Sequence, residues 1–434
     1  MAGGASRGDV WGQVIVRSAA ALFLTVAVLF GDRPDIRRSR TVGIYLMAML
    51  TLTLIQLCNL PPALWHALPD RAIFNDGSAT NGQLSIWRPL SIVPSATINA
   101  CVSLIVPITT WVLFSGLKPT ERRYLPGFIL ILITASVFVG LLQFSGVYLD
   151  NPLVNDSMGQ VSGLFANRNH FAVLIALGCL LAPVWAFQRG RQSHWRAPVA
   201  LGLGILFILM QLASGSRTGL ILGLLALIIG AALVKHRFQM ILSKYPRWVF
   251  PTLIIVMVLL ITSLVFISIS AGRAVSIDRI VGGDPGQDMR TRGLRTVLSM
   301  VSSYFPFGSG LGTFDPVFRV QEPFQLLKPT YFNHAHNDWL EVVLDAGLLG
   351  LLMLVAAVTW WGRASVRAWQ SGSGSNATMA RLGSAFLLLV MLASLFDYPA
   401  RTPMIMALVV IAAMWLSDPY EIDAGGPSLP AKGR

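Results

Sequence analysis

The chain has 434 residues, of which 54% are hydrophobic and 12% are charged, and its formal net charge is +13. Soluble domains carry about 25% charged residues, so this composition excludes an ordinary soluble protein and indicates a polytopic membrane protein. The basic residues lie in short loops between apolar stretches and form no basic face, which argues against nucleic acid as a partner.

The apolar stretches are continuous and lack the alternating pattern of a membrane barrel. Backbone exposed to lipid must satisfy its own hydrogen bonds. We therefore predict an all-α polytopic transmembrane bundle, a single integral membrane domain over residues 1–434. At about 20 apolar residues per pass, we expect about 11 passes, within a range of about 10–12. They are residues 10–30, 41–57, 98–116, 124–146, 170–187, 198–214, 218–235, 248–270, 339–361, 382–397 and 402–417.

The basic residues predict the orientation of these passes. With the passes above, 19 of the 33 Lys and Arg residues fall on one side, which the positive-inside rule assigns to the cytoplasm. The opposite side receives the N-terminus and residues 271–338, which we expect to form a long periplasmic loop containing short helices. The loops on this side carry many arginines but a single lysine, Lys328. Because the guanidinium group binds phosphate through two hydrogen bonds, this pattern indicates a phosphorylated lipid as substrate.

The segment Asn333–Gly350 concentrates ionisable groups at the start of an apolar stretch, where buried charge usually marks a pathway or a reaction centre. We expect residues 336–345 to form a helical extension above the membrane, with Asn337, Glu341 and Asp345 on one stripe and His336 to one side. A neutral imidazole can take a proton from an attacking hydroxyl. The alternative is a solvated helix end, anchored by Trp339. The chemistry-bearing residues of the segment are His334, His336, Asn337, Asp338, Glu341 and Asp345.

Two further stretches carry arginine on the outward side. Arg217 lies in a turn of small residues, 214–219, which would let an anionic group approach the backbone; a snorkelling arginine at a tight turn is the equal alternative. A second cluster contains Arg290, Arg292 and Arg295, either for anion binding or as a solvated face. The Gly-rich stretch 305–314 lacks the ending of a phosphate loop, and we expect a packed turn that folds the loop back over the membrane.

The remaining candidate site residues lie directly before two of the predicted passes. Before the pass at 170–187, we expect Asn167 or, preferentially, Asn169 to cap the helix, with the role of Arg168 left open. In the turn before the last pass, we expect Asp397 and Arg401 to form an ion pair with each other.

The sequence shows no metal-binding motif. The three cysteines, Cys58, Cys101 and Cys179, have no metal-ligand spacing. We expect free thiols, with a Cys58–Cys101 disulfide as the alternative. No D-x-D or H-E-x-x-H motif accompanies the histidines, so we predict no metal and no cofactor.

These segments together resemble the O-antigen ligase and polymerase family of bacterial inner-membrane glycosyltransferases, over residues 160–417. The signature His-Asn-x-x-Leu is represented by residues 336–340, and Gly347 follows as in the family pattern. Ser216-Arg217 resembles the family's Ser-Arg turn, and Arg290 lies where an arginine commonly opens the long periplasmic loop. Residues 306–310 resemble its Pro-x-x-Gly-x-Gly stretch, and residues 397–401 resemble a turn of the exopolysaccharide-type members.

The resemblance implies a metal-independent enzyme of the inner membrane that acts on the periplasmic side. It would move a glycan from undecaprenyl diphosphate to an acceptor hydroxyl in O-antigen or exopolysaccharide ligation or polymerisation. Arg217 and Arg290, assisted by Arg295, would bind the diphosphate. His336 would activate the acceptor, with Asn337 and Glu341 positioning it. Roles for His334, Asp345, Arg168, Asp397 and Arg401 stay open, and Asp345 stands where the family usually has Glu.

The acceptor is left open by the sequence. It could be lipid A–core, a growing lipid-linked chain or a protein hydroxyl, with a saccharide acceptor favoured. The alternative from another class is a transporter or flippase of lipid-linked saccharides. It predicts ionisable residues deep within passes and internal repeats, and Arg17 is the main example of such a residue here.

Overall fold

The computed structural model describes residues 2–32, 34, 36, 39–146, 151–154, 160–188, 193–242, 289–327, 332–372 and 375–417, together with isolated positions between 248 and 266. The side chains of residues 193–194, 236–238, 240–242, 289–291 and 375–376 are not described. In this part of the chain the fold is all-α, as predicted, with a single pair of two-residue antiparallel strands, β1 (Asn59–Leu60) and β2 (Arg88–Pro89).

The helices follow the predicted apolar stretches. The helices before the long loop are α1 (Trp11–Phe30), α2 (Arg40–Gln56), α3 (Pro62–His66), α4 (Ala72–Thr80), α5 (Pro94–Ser103), α6 (Ile105–Gly116), α7 (Pro119–Arg122), α8 (Leu125–Phe144), α9 (Arg168–Ala186), α10 (Ser193–Ala213) and α11 (Arg217–Leu242). Those within and after it are α12 (Met289–Tyr304), α13 (Phe314–Gln321), α14 (Asp338–Gln370), α15 (Ser375–Ala393) and α16 (Pro403–Ser417).

The described helices fit a multi-pass membrane protein. Seven are long and apolar enough to cross a membrane, and three shorter ones are apolar throughout, namely α2, Ala377–Ala393 within α15, and α16. They coincide with predicted passes, with α5 and α6 together forming the pass predicted at 98–116. The pass predicted at 248–270 lies almost entirely outside the described residues, so the total of about 11 remains a prediction.

Helix α9 forms the centre of the bundle. Its apolar and small residues are buried on every side, as expected for a helix without a polar face. It packs against α8, α10, α11 and α15, and these contacts form the largest hydrophobic core. The first turn of α9, at Asn169 and His170, therefore has a fixed position relative to its neighbours.

Helix α14 is kinked at Gly347, where φ is 58° and ψ is −137°. A helical break leaves carbonyl groups without their usual donors, and the Gly-rich stretch supplies them. Ser309 N donates to Leu344 O at 3.0 Å, and Gly310 N donates to Asp345 O at 2.9 Å. A Cβ atom on Gly347 would overlap Pro306 O. The expected packed turn is confirmed, and it fixes the long loop to α14.

The described part of the long loop contains the short helices that were expected. Helices α12 and α13 bury an apolar cluster against the first part of α14, with Met300, Phe318 and Leu344 at its centre. Phe332, which begins the described segment before α14, joins the same cluster. The loop therefore covers the start of α14 and supports the chain on either side of residues 333–337.

The three cysteines are free, as expected. The N-terminal segment lies at the same end of the bundle as the His336 segment, because Ser6 Oγ lies 3.2 Å from His334 Nε2. This agrees with the topology in which the N-terminus and residues 271–338 share one side.

Candidate active site

His336 occupies a strained position directly before α14. Its φ is 51°, in the left-handed region that non-glycine residues rarely adopt. Helix α14 begins at Asp338, so the predicted extension starts two residues later than expected. Asn337 caps it, since its side chain accepts from Leu340 N at 3.0 Å, and its Nδ2 donates to Leu395 O at 3.0 Å. Asn337 therefore fixes the backbone beside His336, and strain maintained in this way is typical of functional sites.

The imidazole of His336 is oriented by Asp397. His336 Nδ1 lies 3.1 Å from Asp397 Oδ1, and a carboxylate can only accept at this contact. The Nδ1 proton therefore donates to Asp397, and the lone pair of the neutral ring lies on Nε2. The His336 side chain is 18% exposed, whereas that of Asp397 is 5% exposed. The ring is thus held by a buried acid and is reachable at its other edge.

Asp397 has several other partners that fix its carboxylate. Asn169 Nδ2 donates to Oδ2 at 2.7 Å, and Tyr398 N donates to Oδ1 at 3.0 Å. His170 Nε2 lies 3.6 Å from Oδ1, with a side chain that is 2% exposed. The expectation that Asn169 caps α9 was wrong. Asn167 is the cap, accepting from Asn169 N at 2.8 Å, and this leaves the Asn169 side chain free to bind Asp397.

Tyr398 lies among three histidines. Its ring centroid is 4.2 Å from that of His334, 5.0 Å from that of His336 and 4.8 Å from that of His170. Its hydroxyl accepts from Asn333 Nδ2 at 3.3 Å. Tyr398, in the turn before α16, thus contacts rings from both α9 and the segment before α14.

Arg401 does not form the expected ion pair with Asp397. It pairs with three acids of α14 instead: Nε is 3.1 Å from Asp338 Oδ1, Nη1 is 3.1 Å from Glu341 Oε1, and Nη2 is 3.7 Å from Asp345 Oδ2. The expectation was wrong because the first turns of α14 present their acids towards the turn that carries Arg401. Burial alone would lower the pKa of Arg401, but these carboxylates raise it above its ordinary value, so Arg401 is a permanent cation.

Glu341 and Asp345 are fully buried and have different partners. Glu341 contacts His334 rather than His336: its Oε1 lies 2.8 Å from His334 Nδ1, and its Oε2 accepts from Ala335 N at 2.8 Å. Asp345 accepts from Gly312 N at 3.0 Å, which connects α14 to the long loop. These contacts make Glu341 a support for the second histidine and Asp345 a part of the scaffold.

A cavity of about 350 Å³ is bordered by His170 and by Tyr398, whose ring contacts all three histidines. The other residues that line it are Gly4, Ala5, Ser6, Arg7, Val154, Gln160, Ala166, Asn167 and Asn333. Hydroxyl, amide and imidazole groups dominate these walls. The cavity is therefore suited to a neutral polar ligand held by hydrogen bonds.

Arg217 begins α11 at the same end of the bundle as the entrance to α9. A Cβ on Gly219 would overlap the side chain of Ala172, and Gln211 Nε2 donates to Ala172 O at 3.2 Å. The start of α11 therefore lies against the first turns of α9. Arg217 is half-buried, and across the described residues its guanidinium has no hydrogen-bond or ion-pair partner. A helix N-terminus with an unpaired arginine suits an anion.

The other arginine candidates lie on α12 or at the start of α9. Arg290 and Arg295 lie on α12, where Arg295 is exposed and the side chain of Arg290 is outside the described residues. Arg292 Nη2 donates to Gln325 O at 3.1 Å and so stabilises the loop. Arg168 is the first residue of α9, next to the entrance that lines the cavity. The diphosphate-binding roles of these arginines stay predictions.

Sequence reasoning missed His170, Tyr398 and the side chain of Asn169. Asn169 and His170 lie in the first turn of a helix with an apolar sequence, where a polar side chain is usually read as a cap, and Tyr398 lies in a turn attributed to an ion pair. Only the packing of α9 against the turn before α16 brings them together. Among the residues that the structure describes, no group of three His, Cys, Asp or Glu side chains is arranged to hold a metal ion.

Residues 202–355 match the family model described as O-antigen ligase. This match covers Arg217, α12 and the first half of α14, including the His336 segment. A comparison with curated proteins finds no match. Residues 202–355 thus support assignment to the O-antigen ligase family, and the apolar helices fit a multi-pass bacterial membrane protein.

Proposed function

We propose that this protein transfers a glycan from undecaprenyl diphosphate to an acceptor hydroxyl at the periplasmic face of the inner membrane. The observation that carries the proposal is His336, a histidine held at Nδ1 by a buried carboxylate in a strained backbone position. Its ring contacts that of Tyr398, which lines a polar cavity. A histidine arranged in this way is a general base. Arg217, half-buried at the same end of the bundle and without an ion-pair partner among the described residues, supports an anionic donor.

In the proposed reaction, Nε2 of His336 takes the proton of the acceptor hydroxyl as its oxygen attacks the anomeric carbon of the donor. The bond from that carbon to the diphosphate oxygen breaks, and undecaprenyl diphosphate leaves with the electron pair. The leaving group is already activated, so a single displacement with inversion is sufficient, without a glycosyl-enzyme intermediate. Asp397 stabilises the imidazolium that forms at His336, because its charge lies 3.1 Å from Nδ1.

Arginine supplies the positive charge at the donor in this proposal. Arg217 and Arg290, assisted by Arg295, would offset the charge that develops on the leaving diphosphate. Many glycosyltransferases use a divalent ion for this purpose, and we propose that the guanidinium groups replace it. Transfer that is undiminished in a chelator supports this assignment, whereas a loss that is reversed by a divalent ion would contradict it.

Deletion of the protein, followed by gel analysis of the surface polysaccharide, tests the function and decides the acceptor. Polymer retained on its lipid carrier, with no ladder on lipid A–core, identifies a ligase. Single repeat units identify a polymerase, which would use a lipid-linked chain as acceptor. Polymer of normal length and attachment would overturn both.

Substitution of Arg217 by Lys tests the diphosphate site. Lysine keeps the charge but loses the planar pair of donors, so transfer should fall by about tenfold, corresponding to about 1.4 kcal/mol in the activation free energy. Arg319→Lys is the matched control, because Arg319 is an exposed arginine of α13 that pairs with Asp315, at 2.7 Å. If the two variants were equally active, Arg217 would not be part of the site that binds the donor.

A transporter of lipid-linked saccharides is not favoured by the position of Arg17. Its Nη1 donates to Asn99 Oδ1 at 2.6 Å, so it joins α1 to α5. Both residues lie within two turns of the helix ends that face the cavity side. The contact is explained by helix packing, whereas a transport pathway would place ionisable groups across the full depth of the passes.

A further inference from the structure

The N-terminal segment, residues 2–10, is built into the protein at the cavity. Ala166 N donates to Gly4 O at 3.2 Å, and Gln13 Nε2 donates to Ala5 O at 2.5 Å. A Cβ on Gly4 would overlap Leu164 O, so the two backbones touch at this point. Backbone groups paired in this way fix the segment against the entrance to α9.

A small apolar cluster fixes the same segment from its other side. Ala5, Val10 and Val154 are buried together, with Leu153 packed against them. Gly12 N donates to Leu153 O at 3.0 Å, which connects the start of α1 to this cluster. The segment therefore has its own core and is a fixed wall rather than a loose terminus.

The inner side of this wall faces the candidate active site. Gly4, Ala5, Ser6 and Arg7 line the cavity on one side, and Tyr398 closes it on the other. Ser6 Oγ lies 3.2 Å from His334 Nε2. The N-terminal segment thus contributes hydrogen-bonding groups to the same cavity as the entrance to α9, although the two are separated by α1 through α8.

We propose that this cavity binds one pyranose ring of the saccharide substrate and that the N-terminal segment selects which ring fits. The inference rests on the proposed function and deepens it. A sugar ring presents hydroxyl groups around its edge and a C–H face. The cavity supplies hydroxyl and amide groups from Ser6, Gln160, Asn167 and Asn333, and Tyr398 supplies an aromatic ring. Its volume, about 350 Å³, lies in the range of small-ligand pockets.

Other parts of the substrate fit this cavity less well. A polyprenyl tail needs apolar walls, whereas these walls are mostly polar. A diphosphate needs cations, and the cation on the wall, Arg7, already has Asp9 as a partner, with Nε 2.9 Å from Oδ1. Arg217, the unpaired candidate for the diphosphate, is not part of the wall. The saccharide is the part whose chemistry matches, and it can belong to the donor or to the acceptor.

Protection of an introduced thiol tests the proposal on the full chain in membranes. Cys58 and Cys101 are first replaced by Ser, while Cys179 is buried and stays. Ser6→Cys then places a thiol on the wall, and Ser302→Cys, on the exposed face of α12, is the matched control. Both are labelled with a membrane-impermeant maleimide. The probes are the lipid-linked saccharide and the lipid A–core extracted from a deletion strain, with sugar-free undecaprenyl diphosphate as the comparison.

The proposal requires one of the two saccharide probes to slow labelling of Ser6→Cys, by about tenfold at roughly ten times its dissociation constant, with Ser302→Cys unaffected. Protection by the lipid-linked saccharide assigns the ring to the donor, and protection by lipid A–core assigns it to the acceptor. Equal protection by sugar-free undecaprenyl diphosphate, or no protection by either saccharide, would overturn it. Arg7→Cys is a second labelling position, should Ser6→Cys fail to fold.

A transfer assay separates this inference from the proposed function. Ser6→Phe fills the cavity and should raise KM for the saccharide at least tenfold, with kcat less affected, while the control Gly77→Ala, which has open space around it, should match the wild type. If His336→Ala abolishes transfer and Ser6→Phe leaves KM unchanged, the transferase stands and the subsite is wrong. If the wild type transfers no glycan but Ser6→Cys is protected, the subsite stands and the proposed function is wrong.

Discussion

Two charged residues four positions apart, Asp397 and Arg401, organise two different clusters. Asp397 holds His336 at 3.1 Å and approaches His170 at 3.6 Å. Arg401 holds Asp338, Glu341 and Asp345. The first cluster borders a cavity and includes a strained histidine with an accessible ring edge. In the second, the acids of α14 are directed at one arginine. In the proposed function, the same turn therefore supports the base at one end and the scaffold at the other.

The difference shows what burial of charge requires. A buried charge without a partner is strongly destabilising, and each of the three acids of α14 has Arg401 as a partner. In the other cluster, Asp397 contacts His336 at Nδ1, and the proposed function uses the second ring nitrogen for the substrate. The ion-pair partners of each residue therefore distinguish the two clusters more clearly than position in the chain does.

The largest effect should follow loss of the base. His336→Ala removes the proton acceptor and should reduce transfer by about 10²–10⁴-fold, while the amount of folded protein in the membrane stays at the wild-type level. His66→Ala is the matched control, since His66 lies far from this site, between Asn75 and Leu84. Full activity of His336→Ala in a reconstituted assay would exclude it from catalysis.

Loss of Arg401 should act on stability instead. Arg401→Met leaves the acids of α14 without their cation, and removal of one partner from a buried cluster costs about 3–5 kcal/mol. We expect a large drop in the unfolding temperature in detergent and little folded protein. Arg319→Met, which breaks an exposed pair with Asp315, should be nearly silent. If Arg401→Met were stable but inactive, Arg401 would have a role in the reaction rather than in stability.

An intermediate effect is expected for the acid that orients the base. Asp397→Asn keeps the shape of the side chain but removes the charge that stabilises the imidazolium of His336. Transfer should fall by about 100-fold, less than for loss of the base itself. The fall should appear in kcat, because the substrate-binding groups are unchanged. A change confined to KM would contradict the orienting role.

The smallest effect should come from Asp345, the most weakly paired acid of the Arg401 cluster. Its carboxylate lies 3.7 Å from Arg401, and its Oδ1 has no hydrogen-bond partner in the part of the chain that is described. Asp345→Asn keeps an oxygen to accept from Gly312 N, so its free energy of unfolding should stay within about 1 kcal/mol of the wild type. Destabilisation equal to that of Arg401→Met would show that all charges of the cluster are needed.

The residues that reasoning from the sequence located and those that it missed differ in a physical way. His336, Asn337 and Glu341 were found because they interrupt an apolar pattern, and such an interruption is visible along the chain. His170 and Tyr398 were missed because each has a local explanation at its own position. The Asp397–Arg401 pair was wrongly expected for the same reason. The two residues are close along the chain, but Asp397 contacts His336 and Asn169, whereas Arg401 contacts the acids of α14.

The sequence by itself determined that this protein is an all-α membrane bundle, because the need for internal backbone hydrogen bonds leaves helices or a closed barrel and the continuous apolar stretches exclude the barrel. It also located the polar segment that precedes α14 and the Gly-rich turn that anchors to it. Only the tertiary structure decided which polar groups meet. Hydrogen bonds and ion pairs act over about 3–4 Å, so the partners of His336, Arg401 and Ser6 depend on how distant helices pack, which no local pattern encodes.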